Sequence, residues 1–393
     1  MAGLTLRAMV TARQASNRLQ FGAVTRYCCL FGVLHVVACS ASDEPIRIGL
    51  AGPFSQQTGQ SMRRAAQLAV AEINQGGGAG GRQFQLVVRD DSGSANVAVR
   101  VAQSLYDNRD VVAVIGHMGS AATLAAARIY NGGDNPLVSI SPSASTTDVT
   151  EAGPYTFRVC PDDRVHGARL AEWSYQQLDA RRVAILYAND AYGRGLRTAF
   201  KDRYTELGGQ IVAEDPFLPV LPGFEPYLTR IRLRGGADAI LLGGDLNGAE
   251  RMLGTLNSIG FDLTVLGGDG IAGIESSDVG AEGVYVSLGY VYDQPGERNA
   301  AFRSAYQRTY EDQLPDHRGA AAYDIVYLLN RVIGQVGRDR SRIREYLAGV
   351  GTETEPYEGI TGQVVFDSTG SVVDRNVVIG VVSNNRLVSA ERR

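Results

Sequence analysis

The chain has little cysteine. Four occur in 393 residues, and three of them, Cys28, Cys29 and Cys39, fall within the first 39. Only Cys160 lies beyond, so no disulfide framework can hold the body of the protein. In Phe157-Arg158-Val159-Cys160 that thiol reads as a half-buried small hydrophobe. Histidine is also scarce. After His35 there are only His117, His166 and His317, far apart and without the H-E-x-x-H or C-x-x-C spacing that a metal needs. There is no G-x-S-x-G elbow and no Walker A sequence. Gly193 and Gly195 open an apparent G-x-G-x-x-G, but Thr198 stands where the third glycine belongs. These absences argue against a bound metal, a nucleotide cofactor and a catalytic nucleophile, so neither a catalytic residue nor a cofactor is expected. His117 is expected to be a hydrogen-bonded structural residue rather than a base. Basic runs interleaved with aromatics are missing too. Lys and Arg total 38 against 42 Asp and Glu, a net charge of −4, which excludes a nucleic-acid partner.

The first segment has the layout of an export signal. Arg7, Arg13, Arg18 and Arg26 precede an apolar stretch from Tyr27 to Ala38, broken only by His35, and no acid occurs before Asp43. The stretch is too short for a permanent membrane span. It ends Val36-Val37-Ala38-Cys39-Ser40, which resembles the lipobox of bacterial lipoproteins. Residues 1–38 are therefore expected to be a lipoprotein signal peptide, with Cys39 lipidated and 39–45 a tether to the membrane.

From Pro45 the chain alternates strand and helix. Ile46–Leu50, Phe84–Val88, Val111–Ile115 and Leu137–Ile140 are short apolar runs. Between them lie helical faces such as Met62, Ala65, Ala66, Ala69, Val70 and Ile73, and a helix after Ser94. The rhythm restarts near Asp163. Strands at Val183–Tyr187, Ala239–Leu242, Leu263–Leu266 and Val284–Ser287 are separated by helices at Gly195–Leu207, Tyr227–Leu233 and Ala249–Ile259. Helices near 299–311 and 320–336 and a strand-rich tail from Gly362 to Val388 follow. At this length two domains are the default. The expected fold is α/β, two doubly wound parallel-sheet lobes joined by hinge crossovers. Lobe I would take 46–160 with about 292–365, and lobe II 161–291 with about 366–390.

The polar residues just past the strand ends are the candidate site, because strand carboxyl ends in such sheets converge on a crevice. Val111–Ile115 ends in Gly116-His117-Met118-Gly119-Ser120, and the helix then opened by Ser120 and Ala121 offers free N–H groups to an anion. Leu137–Ile140 ends in a hydroxyl-rich run containing Ser143 and Ser145. Asp190, Asp245 and Asp269 follow strands of the second half, and Tyr192 stands beside Gly193 as a group that could stack on a ligand. Acids on one side and amides with hydroxyls on the other describe a clamp for an amino-acid zwitterion. Taken singly, each of these residues could equally be a turn former or helix cap.

The residues also match a known family. Ile48-Gly49-Leu50-Ala51-Gly52-Pro53, Ala69-Val70-Ala71-Glu72-Ile73-Asn74, Val114-Ile115-Gly116-His117 with Ser120, and Ser139-Ile140-Ser141-Pro142-Ser143-Ala144-Ser145 are its landmarks. Asp190-Ala191-Tyr192-Gly193, Gly267-Gly268-Asp269-Gly270 and Ala322-Tyr323-Asp324 follow in the same order. The chain resembles the periplasmic leucine/isoleucine/valine-binding proteins, type I solute-binding components of ABC transporters. The resemblance implies a two-lobe clamp with three crossovers, an extracytoplasmic location and delivery of ligand to permease subunits. It also implies roles: Ser120 on the ligand carboxylate, the Ser143 carbonyl on the ammonium, a hydroxyl and N–H from Ser145, and Asp269 paired with the ammonium. A ligand-sensing module that signals for amino acids or amides, rather than feeding transport, is the alternative. Departures from the family pattern make the pocket more polar. Asp245 stands where a tyrosine is frequent, and Gln57-Thr58 and His317-Arg318 where aromatics are. Ser92-Gly93 and Gly119 occupy the stretches that carry the family disulfide. Amino-acid recognition is thus expected more firmly than branched-chain selectivity.

Overall fold

The structure is a computed structural model that describes residues 44–218 and 223–392. The signal-peptide, tether and Cys39 expectations therefore fall outside the described residues, save Glu44 and Pro45. Among the described residues no helix is long and apolar enough to cross a membrane.

The first half forms β1 (Ile46–Gly52), α1 (Gln57–Gln75), β2 (Phe84–Asp90), α2 (Ala95–Asp107), β3 (Val111–Ile115), α3 (Ser120–Tyr130), β4 (Val138–Ser141) and β5 (Thr156–Arg158). The five strands make one sheet in the order β2-β1-β3-β4-β5, and every pairing is parallel. β3 is buried at all five positions, which is why it reads as an unbroken apolar run rather than an alternation.

The second half forms α4 (Asp163–Gln176), β6 (Arg182–Ala188), α5 (Ala191–Glu206), β7 (Gln210–Phe217), α6 (Glu225–Leu233), β8 (Ala239–Gly243), α7 (Leu246–Ser258), β9 (Thr264–Gly267) and β10 (Tyr285–Leu288). The chain then returns to the first sheet with α8 (Glu297–Thr309), α9 (His317–Val336), α10 (Arg340–Ala348), β11 (Tyr357–Gly359) and β12 (Gly362–Val364), and ends in β13 (Val378–Ser383) and β14 (Arg386–Ser389). The second sheet runs β14-β13-β10-β9-β8-β6-β7. Strands β10, β9, β8, β6 and β7 run parallel, but β13 and β14 pair antiparallel at the opposite edge from β7, a feature the β-α rhythm does not reveal.

Packing follows the periodicity. Met62, Ala66, Ala69, Val70 and Ile73 of α1 share one core with Ile48, Leu50, Ala113 and Ile115 of the sheet and with Ile325, Leu328, Leu329 and Val332 of α9. α9 thus belongs to the first sheet although it lies after the whole of the second. Between the two sheets, buried Arg158 ties the passages together. It donates from Nε to Ser371 Oγ at 2.6 Å and from Nη1 to the carbonyls of Thr146 at 2.7 Å and Ser145 at 3.0 Å. Residues 370–372 also bond the backbone of Arg158 directly. Cys160 is buried more fully than expected, and burial pushes its thiol up to about 12.

Candidate functional site

The strand order dictates where a site can form. In the first sheet β1 lies between β2 and β3, so connections diverge from its carboxyl end, and the loops after β1, β3 and β4 border a crevice. The second sheet brings the loops after β6, β8 and β9 to the same place. The result is a cleft of about 550 Å³, a size suited to a small molecule. Gln57, Thr58, Met118, Ser120, Ala121 and Ser143 line it from the first half, and Asp190, Tyr192, Asp245, Asn247, Glu250 and Asp269 from the second.

The amide end is built by α3. Its N-cap is Gly119, which has no side chain to occupy the first N–H groups, so those of Ser120 and Ala121 are left to the cleft. Ser120 Oγ accepts from the Thr146 amide at 3.3 Å, which holds the hydroxyl in place. The loop before α3 is pinned at His117. Its carbonyl accepts from Ser141 Oγ at 2.6 Å and Thr123 Oγ1 at 3.0 Å, and its ring is fully buried between Asp91 and Tyr130. His117 is thus a hydrogen-bonded structural residue.

The acid end is Asp269, 3% exposed, at the start of a short 3₁₀ turn after β9. Ser143 Oγ reaches it across the cleft, donating to Oδ2 at 3.3 Å. The Tyr192 hydroxyl accepts from the Gly270 N–H at 3.0 Å and bonds the Asp269 carboxylate; burial, and then that carboxylate, raise the phenol well above its ordinary range. Tyr192 therefore buttresses Asp269 as well as lining the cleft. Among the described residues, no Lys or Arg nitrogen pairs with the Asp269 carboxylate. Among these residues the one basic nitrogen within 4 Å of it is His317 Nε2, at 3.7 Å. Burial lowers His317 to about 4, with Arg318 adding to the shift, so the ring is neutral at pH 7. Asp269 is a buried acid without a permanent cation, an arrangement that is costly unless something else supplies the charge.

The other candidates divide. Asp190 and Asp245 line the cleft, but each also caps a helix. Asp190 accepts from Gly193 N at 2.8 Å and Asp245 from Gly248 N at 2.8 Å. Burial, and more weakly the Asp245 charge, raises the Asp190 carboxyl. α5 and α7 consequently start at Ala191 and Leu246, earlier than the expected Gly195 and Ala249. Ser145 is fully buried and does not line the cleft. Its carbonyl is taken by Arg158 and by the Asp163 amide, so it sits behind the site rather than in it. Ser94 holds the N-cap position of α2 but makes no capping side-chain bond.

Sequence reasoning did not assign a role to Arg318. From α9 it crosses to the second half, donating from Nη2 to the Asp269 carbonyl at 2.8 Å and from Nη1 to the Ala272 carbonyl at 3.3 Å. Nη1 also bonds Asp316 Oδ2 at 3.0 Å. Arg318 divides the crevice, and a second opening of about 570 Å³ lies on its far side, toward Arg64, Glu275 and Tyr306. Glu250 and Asn247 were missed too. Both lie within the first turns of α7, whose early start was the signal that the sequence hid.

Comparison with known proteins agrees with this architecture. The pattern of the family described as periplasmic binding protein matches residues 45–386. An amino acid binding protein of Pseudomonas aeruginosa is 30% identical over 228 residues, 57% of this chain and 60% of that protein. The leucine-, isoleucine-, valine-, threonine- and alanine-binding protein of the same organism is 25% identical over 346 residues, 85% of this chain and 88% of that one. Among solved structures, LivJ of Streptococcus pneumoniae with isoleucine superposes with a TM-score of 0.78 at 27% identity, covering 88% of this chain and 98% of that one. An ABC transporter substrate-binding protein of Desulfitobacterium hafniense with leucine gives 0.76 at 29% identity, covering 88% and 100%. With the two-sheet fold, the interlobe cleft and these relatives in agreement, the chain belongs to the periplasmic binding protein family, as a type I member of its leucine/isoleucine/valine-binding group.

Proposed function

We propose that this protein captures a small amino acid between its two halves and hands it to the permease of an ABC transporter. The observation that carries the reading is the Asp269 carboxylate, buried in the cleft with no permanent cation, across from the uncapped N-terminus of α3. A ligand ammonium supplies the missing charge, and a ligand carboxylate takes the amides of Ser120 and Ala121. A simple carboxylate ligand would leave Asp269 unpaired beside a second negative charge. Asp190, Asp245, Gln57 and Thr58 surround the space left for the side chain, so the ligand extends from small aliphatic to polar amino acids and amides. The relatives named above bind leucine, isoleucine, valine, threonine and alanine, which agrees with this class.

Closure is the motion that makes binding complete. Residues 46–160 with about 292–365 move as one lobe and 161–291 with about 366–390 as the other, and part of the ligand free energy drives the change. Micromolar affinity, about −8 kcal/mol, is the expected outcome. Export by residues 1–38 and lipidation at Cys39 place the protein outside the cytoplasm and on a membrane.

Calorimetry with a panel of L-amino acids, their amides and small carboxylates tests this reading. Binding of at least one α-amino acid, lost on N-acetylation of its amine, is expected. A chain that binds carboxylates without an amine, and no amino acid, would overturn it.

A further inference from the structure

Behind Asp269 lies a small chamber of about 10 Å³, room for one water. His166, His317, Asp269, Arg375 and Cys160 are among its walls. The chamber sits where the chain passes between the sheets, since Cys160, Gly289 and Arg375 all belong to passages. Three of the wall residues carry buried nitrogens without any hydrogen-bond partner: Nε2 of His166, both ring nitrogens of His317, and Nε and Nη2 of Arg375. The histidines are 1% and 5% exposed and Arg375 is 8%. Native interiors rarely leave so many polar atoms unpaired in one place, and a polar cavity of this size is where ordered water is found. His317 Nε2 stands 3.7 Å from Asp269 Oδ2, too far for a direct bond and close enough to share a water.

We propose that an ordered water occupies this chamber and that through it His317 positions the Asp269 carboxylate for the ligand's ammonium. The inference rests on the amino-acid reading above and deepens it. A neutral imidazole has one donor and one acceptor, so it can hold the water that in turn donates to Asp269. A protonated His317 acts differently, as a cation beside Oδ2 that competes with the ligand for the same acid. The charges around the ring are Asp316 and Arg318 on its own helix, Asp269 from the loop after β9, and His166 from α4, with Arg375 and Cys160 across the chamber. The first turn of α9 also disfavours a positive ring. The neutral ring is therefore the form that serves binding.

Two measurements test this on the full chain. The first is the ring nitrogen chemical shifts of the histidines from pH 4 to 8 without ligand, His317 being assigned by His317→Gln. A ring that stays neutral well below its ordinary range is expected, and titration near 6.5 with no neighbour effect overturns the proposal. The second is calorimetry with L-leucine, L-threonine and L-alanine as probes at about pH 5 and pH 7.5. Because the ring stays neutral across this range, wild-type affinity is expected to change little between the two pH values. His317→Ala is expected to bind about tenfold more weakly at pH 7.5 and His317→Gln about threefold, both without pH slope, the amide partly replacing the imidazole as a partner for the water. Wild-type affinity in both variants overturns the proposal. If no amino acid binds wild type at either pH, the function reading fails, and the ring shifts alone then decide the role of His317.

Discussion

The Asp91 carboxylate accepts a hydrogen bond from Nδ1 of His117 at 2.6 Å, and both side chains are fully buried. On the other side of the ring Nε2 accepts from the Tyr130 hydroxyl at 3.2 Å, the tautomer that satisfies all three groups. Burial, and secondarily the Asp91 charge, raises Tyr130, so that phenol stays protonated and able to donate. The chain of three links the turn after β2, the loop before α3 and the end of α3 itself. Its function is to fix the loop from which the Ser120 and Ala121 amides project.

Asp91→Ala strands the His117 donor in a dry interior. A loss of about 2–3 kcal/mol of stability is expected, visible as a lower denaturation midpoint. Ligand affinity falls with it, because the α3 terminus loses its anchor. A variant with wild-type stability would mean that the buried chain is not structural.

Asp269→Asn separates binding from folding. It removes the partner of the ligand ammonium, so amino-acid affinity drops at least about a hundredfold, near 3 kcal/mol. It also removes a buried charge that lacks a permanent partner, so the unliganded protein melts at the same temperature or higher. Calorimetry and a melting curve on one preparation check both. Lower stability together with unchanged affinity would assign Asp269 a purely structural role.

Arg318→Ala takes away bonds to the Asp269 and Ala272 carbonyls that span the two halves. The unliganded molecule is expected to open, with a larger radius of gyration by small-angle scattering and about tenfold weaker binding. Arg318→Lys does not restore it, because one ammonium cannot reproduce a planar fork reaching several oxygens.

Asp163 gives a pH signature. Burial lifts its carboxyl well above the ordinary range, so the folded form holds a proton that the unfolded chain releases near 4. Between these two values the unfolded state binds fewer protons, and stability falls as pH rises. Asp163→Asn is expected to raise the melting temperature at pH 7 and to leave it nearly unchanged at pH 4. Equal gains at both pH values would show that the carboxyl does not titrate differently in the fold.

Much of this architecture was written in short-range pattern. Strands β1 to β4, β6 and β8 to β10 are largely apolar runs bounded by turn residues, and the face of α1 shows its period plainly. Four elements gave no such signal. The buried face of α4 is His166, Gly167, Leu170, Ala171 and Ser174, too polar for an apolar stripe. β5 and β11 have three residues each, and β5 ends in buried Arg158. α10 buries Arg340, Ile343 and Leu347 within a mostly charged segment.

The starts of α5 and α7 were misplaced for one chemical reason. Asp190-x-x-Gly193 and Asp245-x-x-Gly248 are caps, and Asp316-x-x-Gly319 repeats the arrangement ahead of α9. Read as ligand groups alone, the acids hid the helices that they begin. At the site, position after a strand end was legible, which brought Ser120, Ser143 and Asp269 into view. The burial of Ser145 and the placing of His317 behind Asp269 were not, since both depend on Arg158, Asp163 and α9 arriving from elsewhere in the chain.

The interleaving of the two sheets bears on how this polypeptide matures. α9 completes the core of the first sheet only after the second has been threaded, and β13 and β14 finish the second only at the end of the chain. Neither half is a continuous stretch, so no truncation before Ser389 yields a finished unit, and a nascent chain leaves the ribosome with both halves still lacking pieces. Such dependence on remote partners slows folding, so the chain stays uncompacted for longer.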